Sequence, residues 1–386
     1  MQKIPYGRQQ ISEEDVNAVV DVLRSDFLTQ GPAVPAFEEA VAARCGSAHA
    51  VATNSATSAL HLACLALGVG PEDRVWTSPV TFVASANCAR YRGASVGFVD
   101  IDPRSYNLSA SALEGKLALA EKAGRLPKVV IPVHLAGQSC DMAAIGALAR
   151  RYGFRVIEDA SHAIGGTYRG APIGNCSHSD ITVFSFHPVK IITTGEGGLA
   201  TTNDPALARR MGLLRSHGIT RDAGEMTREP DGPWYYQQVA LGFNYRMTDI
   251  QAALGRSQLL RIDEWVARRH QIADAYDRDL AALPVTTPFR SPEGRSALHL
   301  YVILLRDGSG KLRRQVFDIL RAGGVGVNVH YIPVHLHPDF ARYGFREGDF
   351  PVAEDYYRRA LSLPMFPGLS EEQRCRVVGL LRGALP

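Results

Sequence analysis

Three short stretches carry residues that can do chemistry together. The first is Asn54-Ser55-Ala56-Thr57-Ser58-Ala59-Leu60, directly behind the apolar run Ala48–Thr53. Small residues and hydroxyls at a strand-to-helix turn leave backbone N–H groups aimed at one point, which suits a phosphate. The plainer reading is a Ser/Thr helix cap. The second is Arg155-Val156-Ile157-Glu158-Asp159-Ala160-Ser161-His162. An apolar run that ends in acids puts Asp159 at the carboxyl edge of a parallel sheet, where such folds bind ligands. There it can keep a nitrogen heterocycle protonated, or simply cap the next segment. Its neighbour Glu158 should face the other side of the strand. The third is Phe184-Ser185-Phe186-His187-Pro188-Val189-Lys190, followed by a run to Gly195-Glu196-Gly197-Gly198. Burial lowers a lysine's pKa and frees its amine to attack a carbonyl, whereas an ordinary lysine snorkels to solvent. The glycines let backbone approach a bound group, and Ser185 can donate to a phosphate.

Two other patterns fail on inspection. Gly308-Ser309-Gly310-Lys311 opens a helix after a strand, as a nucleotide-binding loop does. That motif needs Gly at 305 and Ser or Thr at 312, where this chain has Leu305 and Leu312. His330, His335 and His337 are close in sequence, but Pro333 and Pro338 make the segment irregular and no carboxylate–histidine motif accompanies them. No metal site is expected.

The elements that must position these residues follow from periodicity. Short apolar runs at Ala48–Thr53, Arg74–Ser78, Val96–Asp100, Lys128–His134, Arg155–Glu158, Asp180–Ser185 and Gly198–Thr202 alternate with helical stretches such as Ser58–Leu67, Val83–Tyr91 and Met142–Tyr152. This alternation predicts an α/β fold with a mostly parallel sheet covered on both faces. The short Gly-rich turn at 195–198 makes one strand there antiparallel. Ser12-Glu13-Glu14-Asp15 starts a helix with a cap and an acidic first turn. Residues 220–236 read as a surface loop. A long helical pattern covers 248–283, followed by strands at 298–305 and 325–330, a helix at 311–322 and a last helix after Ser370. The expected division is a large domain over 1–250 and a smaller α+β domain over 251–386.

The chain has 386 residues, 46% hydrophobic and 21% charged, as an ordinary globular enzyme has. A formal charge of +3 gives no bulk attraction for nucleic acid or membrane, though a few placed cations can still bind a small anion. The polar start Met1–Gln10 does not read as a secretory signal, and no run is long enough for a membrane helix. Six scattered cysteines without a CxxC pair read as those of a reduced, cytoplasmic protein.

Taken in order along the chain, these stretches resemble the DegT/DnrJ/StrS-type sugar aminotransferases. The likeness starts at Ile4-Pro5-Tyr6-Gly7 and Ser25–Gly31 and continues through Asn54–Leu60, Thr77–Asn87 and Glu158–Gly165. It then takes in Ser185–Gly198, Leu241–Thr248 and Val329-His330-Tyr331. It implies a fold-type-I, aspartate-aminotransferase-like enzyme of pyridoxal 5′-phosphate (PLP), and a homodimer with each active site shared between subunits. By position, Lys190 is the Schiff-base lysine and the proton carrier, and Asp159 pairs with the pyridine nitrogen. His162 lies near the ring hydroxyl and Phe82 on the ring face. Ala56, Thr57 and Ser185 hold the phosphate, with Asn244 reaching in from the partner. Many relatives carry Gln at the His162 position and other aromatics at that of Phe82. Tyr6, the segment Asp26, Phe27, Leu28 and Thr29, and the segment Asn328, Val329, His330 and Tyr331 line the sugar-nucleotide site. The implied reaction moves an amino group from L-glutamate to a nucleotide-linked 4-keto-6-deoxy sugar, UDP-linked before dTDP-linked. Related sugar dehydratases carry His in place of this lysine, so Lys190 argues against that chemistry. A non-catalytic relative would have no need of lysine, aspartate and phosphate cradle together.

Overall fold

The structure, a computed structural model, describes residues 3–385. Its centre is a seven-stranded sheet made of β1 (His49–Thr53), β2 (Arg74–Thr77), β3 (Ser95–Phe98), β4 (Val129–Ile131), β5 (Arg155–Asp159), β6 (Ile181–Ser185) and β7 (Gly198–Thr202). All seven predicted strands are present, in the order β1-β7-β6-β5-β4-β2-β3. Only β7 runs against its neighbours, pairing antiparallel with both β1 and β6. The connection 186–197 holds turns and no helix, so it does not make the helical crossover by which parallel strands are usually joined. Helices cover both faces, so β6 and β7 are buried along their whole length.

Register then fixes which strand ends meet. Gly198, the first residue of β7, lies between Thr53 at the end of β1 and Ser185 at the end of β6. A Cβ on Gly198 would collide with the Ser55 carbonyl and the Ala56 nitrogen, at the start of helix Ala56–Ala66. Glycine is required here for close approach of two backbones.

The C-terminal part contains an antiparallel sheet of β8 (Val285–Thr286), β9 (Tyr301–Leu305) and β10 (Ala360–Leu363), with helices Lys311–Ala322 and Glu371–Ala384 packed on it. Residues 247–266 pack with Phe37 and Phe186 on the large-sheet side, and those from Ile272 onward with the small sheet. The long helical pattern proves to be two helices, Asp249–Leu259 and Ile262–Leu280. The break lets Gln258 and Arg261 converge on buried Asp15 while Ile262, Trp265 and Val266 turn into the core. Leu260, at the break, is 85% exposed.

Two further expectations are corrected. β9 begins at Tyr301 rather than at 298, because Leu298 takes a positive φ and buried Arg269 donates to the carbonyls of Leu298 and His299. Residues 325–330 do not form a strand. They make single bridges to two different partners, Val325 with Ile4 and Asn328 with Ser362. Between the two, the Gly326 N–H donates to the Ile4 carbonyl at 2.6 Å, so the amino-terminal segment is stitched to this stretch. The strand β10, which the sequence reading missed, supplies the neighbour. Residues 220–236 are largely exposed, as expected, with one helical turn at Ala223–Glu225. No helix of the described residues is long and apolar enough to cross a membrane.

Gly198→Ala should lower stability by about 1–3 kcal/mol through overpacking. Gly212→Ala, in helix Pro205–Arg215 with open space at its Cβ, should instead leave stability unchanged or raise it by about 0.4–1 kcal/mol. Urea unfolding monitored by circular dichroism reads both; equal effects would contradict the backbone approach described at Gly198.

Candidate active site

The carboxyl ends of the central strands open into a cavity of about 660 Å³. Asp159, the last residue of β5, and Ser185, the last of β6, both line it. Lys190 enters from the turn after β6, where its N–H donates to the His187 carbonyl at 2.9 Å. The first turn of helix Ala56–Ala66 forms another wall, and the N-terminal Tyr6 and residues 328–332 close the opposite side.

Lys190 is half-buried and opens onto this cavity. Burial pushes its amine down to about 8, with the Asp159 carboxylate opposing that shift. A group with that pKa is neutral in about one molecule in ten at pH 7, against about one in 2,500 for an ordinary lysine. Asp159 is itself buried. Its Oδ2 accepts from Ser85 Oγ at 2.6 Å and its Oδ1 from the Ser161 N–H at 3.1 Å. Ser85 has only one proton to give, so the 2.8 Å bond between Thr81 and Ser85 is donated by Thr81. Glu158 points to the far side of the strand, as expected, where it accepts from Ser179 and Thr182 and pairs with His134.

The helix start offers an anion site. Ser55 caps it by accepting from the Ser58 N–H at 3.2 Å. The N–H groups of Ala56 and Thr57 have no intrahelical acceptor, and both residues line the cavity. Register brings Ser185 to the same wall through Gly198. Phe82, 59% exposed, lines the cavity and faces the ring of Tyr331 at 6.3 Å.

The wall beyond Lys190 is aromatic and rich in imidazole. His162 accepts from the Ala136 N–H at Nδ1 (3.2 Å), and its Nε2 lies 3.1 Å from the Tyr331 hydroxyl. His299 packs on it with ring centres 4.5 Å apart. Burial and the neighbouring Lys190 and His330 hold His162 well below the usual histidine range. Burial, His162 and Lys190 do the same to His299, and burial with Lys190 brings His330 to about 4. These three rings are therefore neutral at pH 7.

Of the residues singled out in the sequence, Tyr6, Ala56, Thr57, Phe82, Asp159, His162, Ser185, Lys190 and Asn328, Val329, His330 and Tyr331 all meet in this cavity. Two groups stand apart from the cavity of their own chain. Asp26, Phe27, Leu28 and Thr29 are exposed and do not line it; the Asp249 carboxylate holds the following loop by accepting from Gly31 and Ala33, and Asp249 N–H donates to the Leu28 carbonyl. Asn244, expected to reach in from a partner subunit, is exposed and fixed by a bridge to Ser216. Neither reaches the cavity of the chain that carries it. The clustered histidines separate: His330 and His337 line the cavity, whereas His335 is buried against Glu354 at 3.0 Å. Among the described residues no group of three or more metal-ligating side chains is present. Sequence reasoning missed the roles of Ser85 and His299. A hydroxyl inside the buried small-residue helix Ala84–Arg90 was the available signal for Ser85; nothing in the spacing marks His299.

The DegT/DnrJ/EryC1/StrS aminotransferase family matches residues 9–382. GDP-perosamine synthase of Caulobacter vibrioides is 42% identical over 382 residues, 98% of this chain and 97% of that protein. The UDP-4-amino-4,6-dideoxy-N-acetyl-beta-L-altrosamine transaminase of Campylobacter jejuni is 37% identical over 364 residues, 94% and 92% of the two chains. The solved PLP-form of a sugar aminotransferase, Spr1654 from Streptococcus pneumoniae, superposes with a TM-score of 0.90 at 31% identity, covering 100% of both chains.

Competitive acetylation of the full chain, read by mass spectrometry, should show Lys190 reacting with a midpoint near pH 8, against about 10.4 for an ordinary lysine. Asp159→Asn should move that midpoint lower still, because the carboxylate favours the charged amine. A midpoint above about 10 would contradict the burial described.

Proposed function

This chain belongs to the DegT/DnrJ/EryC1/StrS aminotransferase family, and on that premise we propose that it uses PLP to transfer an amino group from L-glutamate to a nucleotide-linked 4-keto-6-deoxy sugar. One observation carries the reading: a lysine amine brought to about 8, a buried aspartate and a helix N-terminus share a single cavity.

The residues present fit the cofactor. The free N–H groups of Ala56 and Thr57 and the hydroxyl of Ser185 suit its phosphate, and the Cβ-free Gly198 leaves that cradle intact. Bound there, PLP supplies an electron sink that lets a C–H bond beside an amine ionise. Asp159, steadied by Ser85 and the Ser161 N–H, would hold the proton of the ring nitrogen. Phe82, exposed in the cavity wall, would shield the cofactor from water. Lys190 Nζ would anchor the cofactor and move the proton of the reacting carbon, as a base in one direction and an acid in the other.

Tyr6 and residues Asn328, Val329, His330 and Tyr331 line the side left for the sugar nucleotide. Asn244 and the segment Asp26–Thr29 stand on the outer surface, and in a homodimer of this chain they would serve the neighbouring cavity. Among the described residues the cavity wall holds no arginine, so a second copy is also the natural source of charge for a diphosphate. We assign the sugar as a UDP-linked N-acetylated 4-keto-6-deoxy sugar, yielding the 4-amino-4,6-dideoxy product named for the Campylobacter jejuni relative. The higher identity to GDP-perosamine synthase favours a GDP-linked sugar as the second reading.

Purified with PLP, the protein should be yellow, L-glutamate should bleach it, and the correct ketosugar should restore the colour. Lys190→Ala should lower turnover by roughly 10²–10⁴-fold. An unchanged spectrum with glutamate would overturn the aminotransferase reading. A panel of UDP-, GDP- and dTDP-linked 4-keto-6-deoxy sugars decides the nucleotide, and recovery only with the GDP sugar would replace our assignment.

A further inference from the structure

The small sheet divides where it meets the cavity. Its ladder ends at the pair Tyr301 and Leu363, and beyond that pair the two strands turn to different partners. On one side the Leu300 N–H donates to the Ala136 carbonyl at 3.4 Å, and His299 lines the cavity with its ring packed on His162. On the other the Met365 N–H donates to the Tyr6 carbonyl at 2.9 Å, and Tyr6 lines the opposite wall.

Arg269 fills that fork. It comes from helix Ile262–Leu280 and is 1% exposed. Its Nη1 donates to the carbonyls of Leu298 at 3.3 Å, His299 at 3.2 Å and Met365 at 3.1 Å. That nitrogen carries two hydrogens, so at least one of them is shared between two carbonyls. The side chain also borders a small void together with Pro188, Lys190 and Ile191, so it abuts the lysine turn as well. Burial alone pushes the guanidinium down to about 10, with no neighbouring carboxylate opposing the shift, and it stays charged at pH 7. A buried charge without a counter-ion is costly, and an apolar side chain would fill the same space without that cost. What the arginine adds is one donor common to two segments. Its neighbours on the helix each serve only one of them. His270 engages the Ser296 carbonyl at 2.8 Å, Arg268 donates to those of Pro367 and Leu369, and Tyr276 to that of Pro364.

We infer that Arg269 is a positioning residue: one nitrogen holds the His299 and Met365 carbonyls together and thereby sets the spacing between the His299 wall and the Tyr6 wall of the cavity. This rests on the cavity being the site of amino transfer. Tyr6 belongs to the side left for the sugar nucleotide, so the spacing governs binding of that substrate more than the reaction with glutamate.

The test uses the full-length holoenzyme, saturating L-glutamate and the UDP-, GDP- or dTDP-linked ketosugar that restores the colour of the wild-type protein. Arg269→Met, similar in length but without donors, should raise the KM for that sugar about tenfold, while kcat and the rate of bleaching by glutamate stay within about threefold. Arg269→Lys keeps the charge on a shorter side chain with a single nitrogen. It should raise the KM about threefold, and it carries the test if Arg269→Met does not fold. Arg268→Met loses the bonds to Pro367 and Leu369 but not the tie, so it should lower stability and leave the KM within about twofold of wild type. In a Tyr6→Ala background Arg269→Met should change the KM by less than about threefold, because its effect runs through Tyr6. An unchanged KM in either Arg269 variant, an equal rise in Arg268→Met, or the full rise in the Tyr6→Ala background would overturn the proposal. Wild-type protein that glutamate does not bleach would sink the aminotransferase reading, and the role of the tie in substrate binding with it. The tie itself would still be read by hydrogen exchange. The peptide covering residues 364–369 should exchange about tenfold faster in Arg269→Lys than in wild type, and equal exchange would show that Arg269 does not hold it.

Discussion

A neutralisable amine and a carboxylate share one cavity, and burial works against the charged form of the amine. Lys190 responds by titrating near 8, and the carboxylate of Asp159 keeps it from falling further. Asp159 is satisfied by the Ser85 hydroxyl and the Ser161 N–H, so it can remain buried without a permanent cationic partner. An arginine beside Asp159 would satisfy it equally well, but it would fill part of the cavity that the carboxylate lines. The site depends on this pair being desolvated and yet not locked together.

The scaffold delivers that pair through a strand end and the turn that follows the neighbouring strand. Asp159 and Ser185 end adjacent parallel strands, and Lys190 follows one turn later. The reversed strand β7 lies between β1 and β6, so the phosphate-type turn at 54–57 and the lysine segment become neighbours across Gly198. The opposite wall is held at a longer range. The amino-terminal segment bonds to Gly324 and Gly326, the Tyr6 carbonyl accepts from Met365, and Asp15 gathers Ser257, Gln258 and, at the break after their helix, Arg261, all more than 240 residues away in sequence. Attachment of that kind keeps the wall of Tyr6 and residues 328–332 in register with the lysine side.

Between the two walls the chain places neutral imidazoles instead of fixed charges. Their low pKa values have a common origin in burial and in the proximity of Lys190. An uncharged wall can direct hydrogen bonds without competing electrostatically with the amine or with a phosphate held at the helix start.

By itself the sequence determined the seven central strands, the reversal at the Gly-rich turn, and the candidate status of Lys190, Asp159 and the 54–57 turn, because apolar periodicity and turn chemistry are local properties written within about ten residues. It did not determine whether Lys190 was a solvated surface lysine or one with its amine buried at a cavity, since that depends on residues far away in the chain. Only the tertiary structure decided that question, and it also broke the long helix at 260, unmade the strand at 325–330 and brought Ser85 onto Asp159. It likewise showed that Asp26–Thr29 and Asn244 stand outside the cavity of their own chain. The physical reason is the same in each case. Desolvation and the direction of a hydrogen bond are set by what packs around a group, and no spacing along the chain records them.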